Sequence, residues 1–116
     1  MNINITELEP TIFSYRVYDQ DEDHDMYVAT CQIHQYGDVG IVYAMHGQYL
    51  LKNLLKDLVE GSLKEKGIKR LEGYVLPIVN KFIHRICRPY PELKVTNTYT
   101  CISNEREFIW VSVERE

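Results

Sequence analysis

The stretch Met45-His46-Gly47-Gln48-Tyr49 joins an apolar run to a leucine-rich one, and its single glycine stands where a strand would hand over to a helix. A helix start presents unpaired backbone N–H groups and partial positive charge, so it can hold an anionic group of a cofactor. The amides of Gly47, Gln48 and Tyr49 are the candidate donors. A second constellation is His84 with Cys87, which share nearly one side of a helix because three residues turn it by roughly 300°. As metal ligands they are too few. Zinc needs further donors, and Cys31, Cys101, His34 and His46 show no fitting spacing, so no metal site is expected. Cys31 with His34 makes no nucleophile pair, since residues three apart on a strand point to opposite faces. Asp19, Asp21 and Asp23 imitate the first half of a calcium loop, but His24 stands where its glycine belongs and Thr30 where its last acid belongs.

These residues must be positioned by a small fold. With 116 residues, 45% hydrophobic and 26% charged, the chain suits one compact domain spanning 1–116. No apolar run approaches the roughly 20 residues of a membrane span, and the N-terminus lacks the layout of a secretion signal. A cytoplasmic protein with reduced thiols is expected, because three cysteines without a Cys-x-x-Cys pair suit neither a disulfide framework nor a zinc knuckle.

Residues 12–18 read as a strand from their β-forming side chains, with a short strand at Ile3–Ile5 before it and the acidic loop Asp19–Asp25 after it. Met26–Gln35 and Val39–Met45 form a hairpin about Gly37-Asp38, placed near the middle of the sheet because the second arm is apolar on both faces. Leu50, Leu51, Leu54, Leu55, Leu58, Val59 and Leu63 recur at helical spacing, predicting one long helix that ends at Gly67. Ile68–Leu76 is the next strand. Residues 78–88 form a second helix with Val79, Phe82, Ile83 and Ile86 inward, closed by Pro89 and Pro91. Leu93–Ile102 and Glu107–Val113 make a final hairpin.

This order resembles the GNAT superfamily of N-acetyltransferases, from about Tyr27 to Val113. The resemblance is carried by the helix, Gly67-Ile68, strand cadence and by the strand, loop, helix order around Met45–Leu50. It implies an α+β fold of the three-layer α/β type, with a mixed, mostly antiparallel sheet of about six strands and two main helices. It also implies acetyl-coenzyme A as cofactor, with Met45, His46, Gly47, Gln48 and Tyr49 at the place of the family's pyrophosphate loop. That loop normally reads Gln/Arg-x-x-Gly-x-Gly/Ala, whereas one glycine stands here. The family's tyrosine, which protonates the departing thiolate, falls on Cys87. Cys87, a thiol being a group that titrates within reach of neutral pH, or His84 on nearly the same side of the helix is therefore the candidate proton donor.

Charge and aromatic content frame the partners. Net charge of −4 disfavours nucleic acid, yet Lys64, Lys66, Lys69, Arg70, Lys81, Arg85, Arg88 and Lys94 make a basic segment, while residues 1–25 carry seven acids against Arg16. Nine tyrosines suit half-buried sheet positions with wet hydroxyls, or an aromatic contact surface. Two functions follow: an acetyltransferase acting on an amine, or a non-catalytic relative that binds a protein partner through the basic helix and tyrosine-rich strands. No membrane contact is expected, and self-association is left open.

Overall fold

The computed structural model describes residues 1–19, 27–47 and 50–116. Six strands form one sheet in the order β1-β2-β3-β4-β6-β5: β1 Thr11–Tyr18, β2 Tyr27–Tyr36, β3 Val39–Gly47, β4 Arg70–Val75, β5 Leu93–Ser103 and β6 Arg106–Arg115. All neighbouring pairs are antiparallel except β3 with β4. Between the strands lie α1 (Leu50–Glu60), the short α2 (Ser62–Glu65) and α3 (Pro77–Cys87). The α+β class and the mixed, mostly antiparallel sheet are as expected.

Alternation decides which face of each strand is covered. On β2, Ala29, Cys31 and Ile33 are buried, and their partners in the core are Leu71 and Val75 of β4 and Val111 and Val113 of β6. Leu50, Leu54, Leu55 and Leu58 of α1 and Ile83 and Cys87 of α3 close the same core. Both crossovers, β3-α1-β4 and β4-α3-β5, step the same way across the sheet, so right-handed connections put both helices on one side. The described residues therefore build two layers, where the expected three-layer arrangement would place helices on both faces.

Several local expectations are corrected. The long helix is broken at Gly61, because the Asp57 carboxylate turns back to accept hydrogen bonds from Ser62 Oγ (2.8 Å) and the Leu63 amide (3.0 Å). A Cβ on Gly61 would fall onto Asp57 Oδ1, so the break needs that glycine. Phe82 is 46% exposed rather than inward, and Cys87 takes the inward place. Ile3–Ile5 forms no strand, having no neighbouring strand to share its backbone hydrogen bonds. Most of the acidic loop, residues 20–25, lies outside the described residues. Two-residue turns fit the hairpins: Gly37 (φ 61°) opens the β2–β3 turn, and Asn104 and Glu105 (φ 50° and 63°) make the β5–β6 turn, whose two left-handed residues match the strand twist.

Candidate functional site

Strands β3 and β4 run together for only three residue pairs, Val39 with Arg70, Gly40 with Leu71 and Ile41 with Glu72. Beyond that point β3 continues to Gly47 and β4 to Val75 without pairing to one another. Gly40 permits the close start, since a Cβ there would sit 3.0 Å from Leu71 Cδ2 and 3.1 Å from Ile33 Cγ2. Gly73 marks the crotch, 3.3 Å from the Val42 carbonyl oxygen at its would-be Cβ.

The divergence opens a cavity of about 450 Å³ counted out to its solvent-open mouth, lined among others by Val42, Met45, Leu54, Glu72, Tyr74 and Ile83. Leu71 and Val75 point from β4 to the helices while Glu72 and Tyr74 point the other way, and residues of both sets are among those that line the cavity. Most of the lining is leucine and valine.

A β-bulge shapes the β3 side. Residues Ala44 and Met45 together stand opposite Cys31, as the pairing shifts between Thr30–His46 and Gln32–Tyr43. Ala44 takes a left-handed φ of 50°, which a residue with a Cβ adopts at a cost of about 1 kcal/mol. Such a bulge takes backbone groups of an interior strand out of the regular ladder.

Met45 and His46 are exposed on the last part of β3, and Met45 lines the cavity. Gly47 closes β3 at φ 106°, where a Cβ would collide with the Val28 carbonyl oxygen and lie 2.6 Å from Ala29 Cα. Its glycine character thus serves the close pairing of β3 with β2. Gln48 and Tyr49 lie outside the described residues.

Cys87 and His84 are not brought together at the cavity. Cys87 is in the core, where burial pushes its thiol up to about 11. His84, on the same helix, is exposed, with Nε2 3.1 Å from Asn97 Oδ1, and Asn97 Nδ2 donates in turn to Asn80 Oδ1 at 2.8 Å. Among the described residues no cluster of three or more His, Cys, Asp or Glu could hold a metal.

The residues that do face the gap were not singled out by motif. Glu72 lies at the crotch with Oε1 2.9 Å from Arg70 Nε and a side chain 18% exposed. Tyr74, one step further along β4, is 48% exposed and packs edge-on to Trp110, with ring centroids 4.8 Å apart. Desolvation of its inner edge, then the neighbouring Cys101 and Tyr99 and a hydrogen bond with Cys101, push its phenol above the ordinary value. Across the gap Tyr43 rests against His34 at 4.4 Å. The available signal was Glu72 itself, a lone charge between Leu71 and Gly73-Tyr74-Val75 in an interior strand.

No helix of the described residues is long and apolar enough to cross a membrane. No protein-family model and no curated protein sequence matches this chain. Among solved structures it is similar to a candidate acetyltransferase from Agrobacterium tumefaciens, with a TM-score of 0.63 and 13% identity over 95% of this chain and 78% of that one. At that identity the likeness shows a shared fold alone.

Proposed function

We propose that the chain is an acyl-coenzyme A-dependent N-acyltransferase, acetylating an amine in the gap between β3 and β4. The parting of these strands after three residue pairs carries this reading, because it opens a cavity between them in which a thioester arm and an amine could meet. The residues fit the coenzyme arm in part. The apolar lining suits a thioester chain, and the end of β3 beyond the bulge, Met45 to Gly47, supplies backbone polar groups for its phosphates. Lys81, exposed near the start of α3, adds a cation at the same end of the sheet.

Bound there, the coenzyme supplies an acyl group as a thioester. Glu72 would accept the proton of the incoming ammonium, freeing the nitrogen lone pair for the thioester carbonyl. Tyr74, kept protonated at neutral pH, would give its phenolic proton to the departing sulfur and regain one from the nitrogen, which must shed a second proton to become the amide.

Calorimetric titration with acetyl-coenzyme A tests the reading. Binding in the micromolar range is expected, weakened about tenfold or more by Gly73→Val, which puts a branched side chain against the Val42 carbonyl at the crotch. Met45→Trp provides a second obstruction on the exposed wall. With an amine acceptor, Glu72→Gln should lower kcat by roughly a hundredfold at unchanged coenzyme affinity. No heat at millimolar coenzyme would dismiss the transferase. The partner-binding alternative would then draw on the exposed tyrosines 18, 27, 43, 74 and 99, on the side of the sheet away from basic α3.

A further inference from the structure

The sheet face opposite the helices carries Tyr43, Tyr74, Trp110 and Tyr99 in one row across β3, β4, β6 and β5, interrupted only by the gap. Register places them there: Tyr74 is paired with Trp110 and Trp110 with Tyr99, while Tyr43 is paired with Gln32 on the same side as His34. Tyr99 lies stacked on Trp110 at 5.9 Å and 19°, and Tyr74 stands edge-on to it at 77°. Tyr43, Tyr74 and Tyr99 remain 45%, 48% and 55% exposed. No helix among the described residues covers them.

Elsewhere the chain covers rings with its own cations. Arg16 lies over Tyr27 at 4.6 Å and Lys66 over Phe13 at 4.7 Å. Among the described residues no cation lies over Tyr43, Tyr74 or Trp110. At the crotch beside them stands Glu72, whose Oε1 is 2.9 Å from Arg70 Nε and which is among the residues lining the cavity.

We propose that this face is the acceptor site of the transferase and that it selects a primary amine arriving as an ammonium ion on a flat apolar group, such as an arylalkylammonium. The proposal rests on the transferase reading and adds to it the chemical class of the acceptor. An ammonium between the Tyr43 and Tyr74 rings gains their quadrupoles and the Glu72 carboxylate together, whereas an anion would meet that carboxylate and a neutral molecule would gain stacking alone. The flat part of the guest extends over the Trp110–Tyr99 stack, and the nitrogen is left at the opening through which the acyl group arrives.

Trp110 is the only tryptophan and lies in the row, so its fluorescence reads occupancy without coenzyme or turnover. Benzylammonium, benzyl alcohol and benzoate are to be titrated at pH 7 against the intact protein. A saturable change with benzylammonium at about millimolar or below is expected, with benzyl alcohol and benzoate at least about tenfold weaker. Glu72→Gln should weaken benzylammonium about fivefold or more and leave benzyl alcohol where it was. Tyr43→Leu, exposed and distant from the core, should weaken benzylammonium alone without changing the melting temperature. Equal affinity for the alcohol and the ammonium, or no saturable change with the ammonium, overturns the proposal. The coenzyme titration is separate: coenzyme binding without ammonium selectivity overturns the acceptor class and spares the transferase, and ammonium selectivity without coenzyme binding overturns both the transferase and the acceptor role.

Discussion

The two faces of the sheet are composed differently, although every strand contributes to both. Towards the helices stand Ala29, Cys31, Ile33, Leu71, Val75, Val111 and Val113, small or branched side chains that let α1 and α3 approach closely. Away from them stand Tyr27, Tyr43, Tyr74, Tyr99 and Trp110, ring systems whose polar ends tolerate water. The covered face holds the fold together, and the open face displays chemistry at the place where the sheet parts. Stability and recognition are therefore separable by substitution.

The sharpest break in that comparison comes from truncating one side chain on each side. Leu58 of α1 is 0% exposed, so Leu58→Ala should lower unfolding stability by about 2–5 kcal/mol through lost transfer energy and the cavity left behind. Tyr99→Ala, at 55% exposure, should cost about 1 kcal/mol or less. Urea unfolding followed by far-ultraviolet circular dichroism measures both. Similar losses would mean that the aromatic row is structural and that the open face is part of the core.

The cysteines sharpen the comparison by titration. Burial pushes the Cys31 and Cys87 thiols from an ordinary 9.0 up to about 11, whereas Cys101 on β5 is partly exposed. A raised pKa means the folded chain holds its proton longer than the unfolded chain. The contribution is complete below pH 9 and is lost as pH rises through about 11, because the unfolded thiols ionise first. Tyr15, raised from 10.0 to about 12 by burial and then by Asp57 and Cys31, extends the decline. Stability should thus fall from pH 9 upward, by on the order of 2 kcal/mol per core thiol. A thiol reagent at pH 8 should modify Cys101 in the native protein and all three cysteines only in denaturant. Rapid native labelling of Cys31 or Cys87 would contradict the covered face.

Much of the covered side was legible in the sequence. The leucine spacing of α1, the Pro89 limit of α3 and the Gly37-Asp38 turn each depend on contacts within a few residues, which periodicity and turn chemistry record. The rest depends on distant pairing. Nothing near Asp57 announces that its carboxylate will cap Leu63 and split the helix, and the bulge at Ala44 exists only relative to Cys31 on another strand. The open face was illegible for a related reason. Tyrosine satisfies both a buried and a wetted strand position, so Tyr43 and Tyr74 could not be assigned to a side until register was known. The residues at the gap followed suit: the loop around Gly47 attracted attention by motif, while Glu72 and Tyr74 gain their place from the parting of β3 and β4.

The smallest expected effect lies in the hairpin that carries both Tyr99 and Trp110. Its turn needs left-handed backbone at Asn104 and at Glu105, and only the first of these is a residue that adopts it readily. Glu105→Gly removes the Cβ conflict at φ 63° but adds freedom to the unfolded chain, so the net gain should be about 0.5–1 kcal/mol. Thermal unfolding would show it as a rise of a few degrees, with the Trp110 emission maximum unchanged because the ring's neighbours, Tyr74 and Tyr99, lie well away from the turn. A loss of stability instead would show that Glu105 holds the turn through its side chain, and an altered emission would show that turn geometry reaches the aromatic row, joining two features that the rest of the molecule keeps apart.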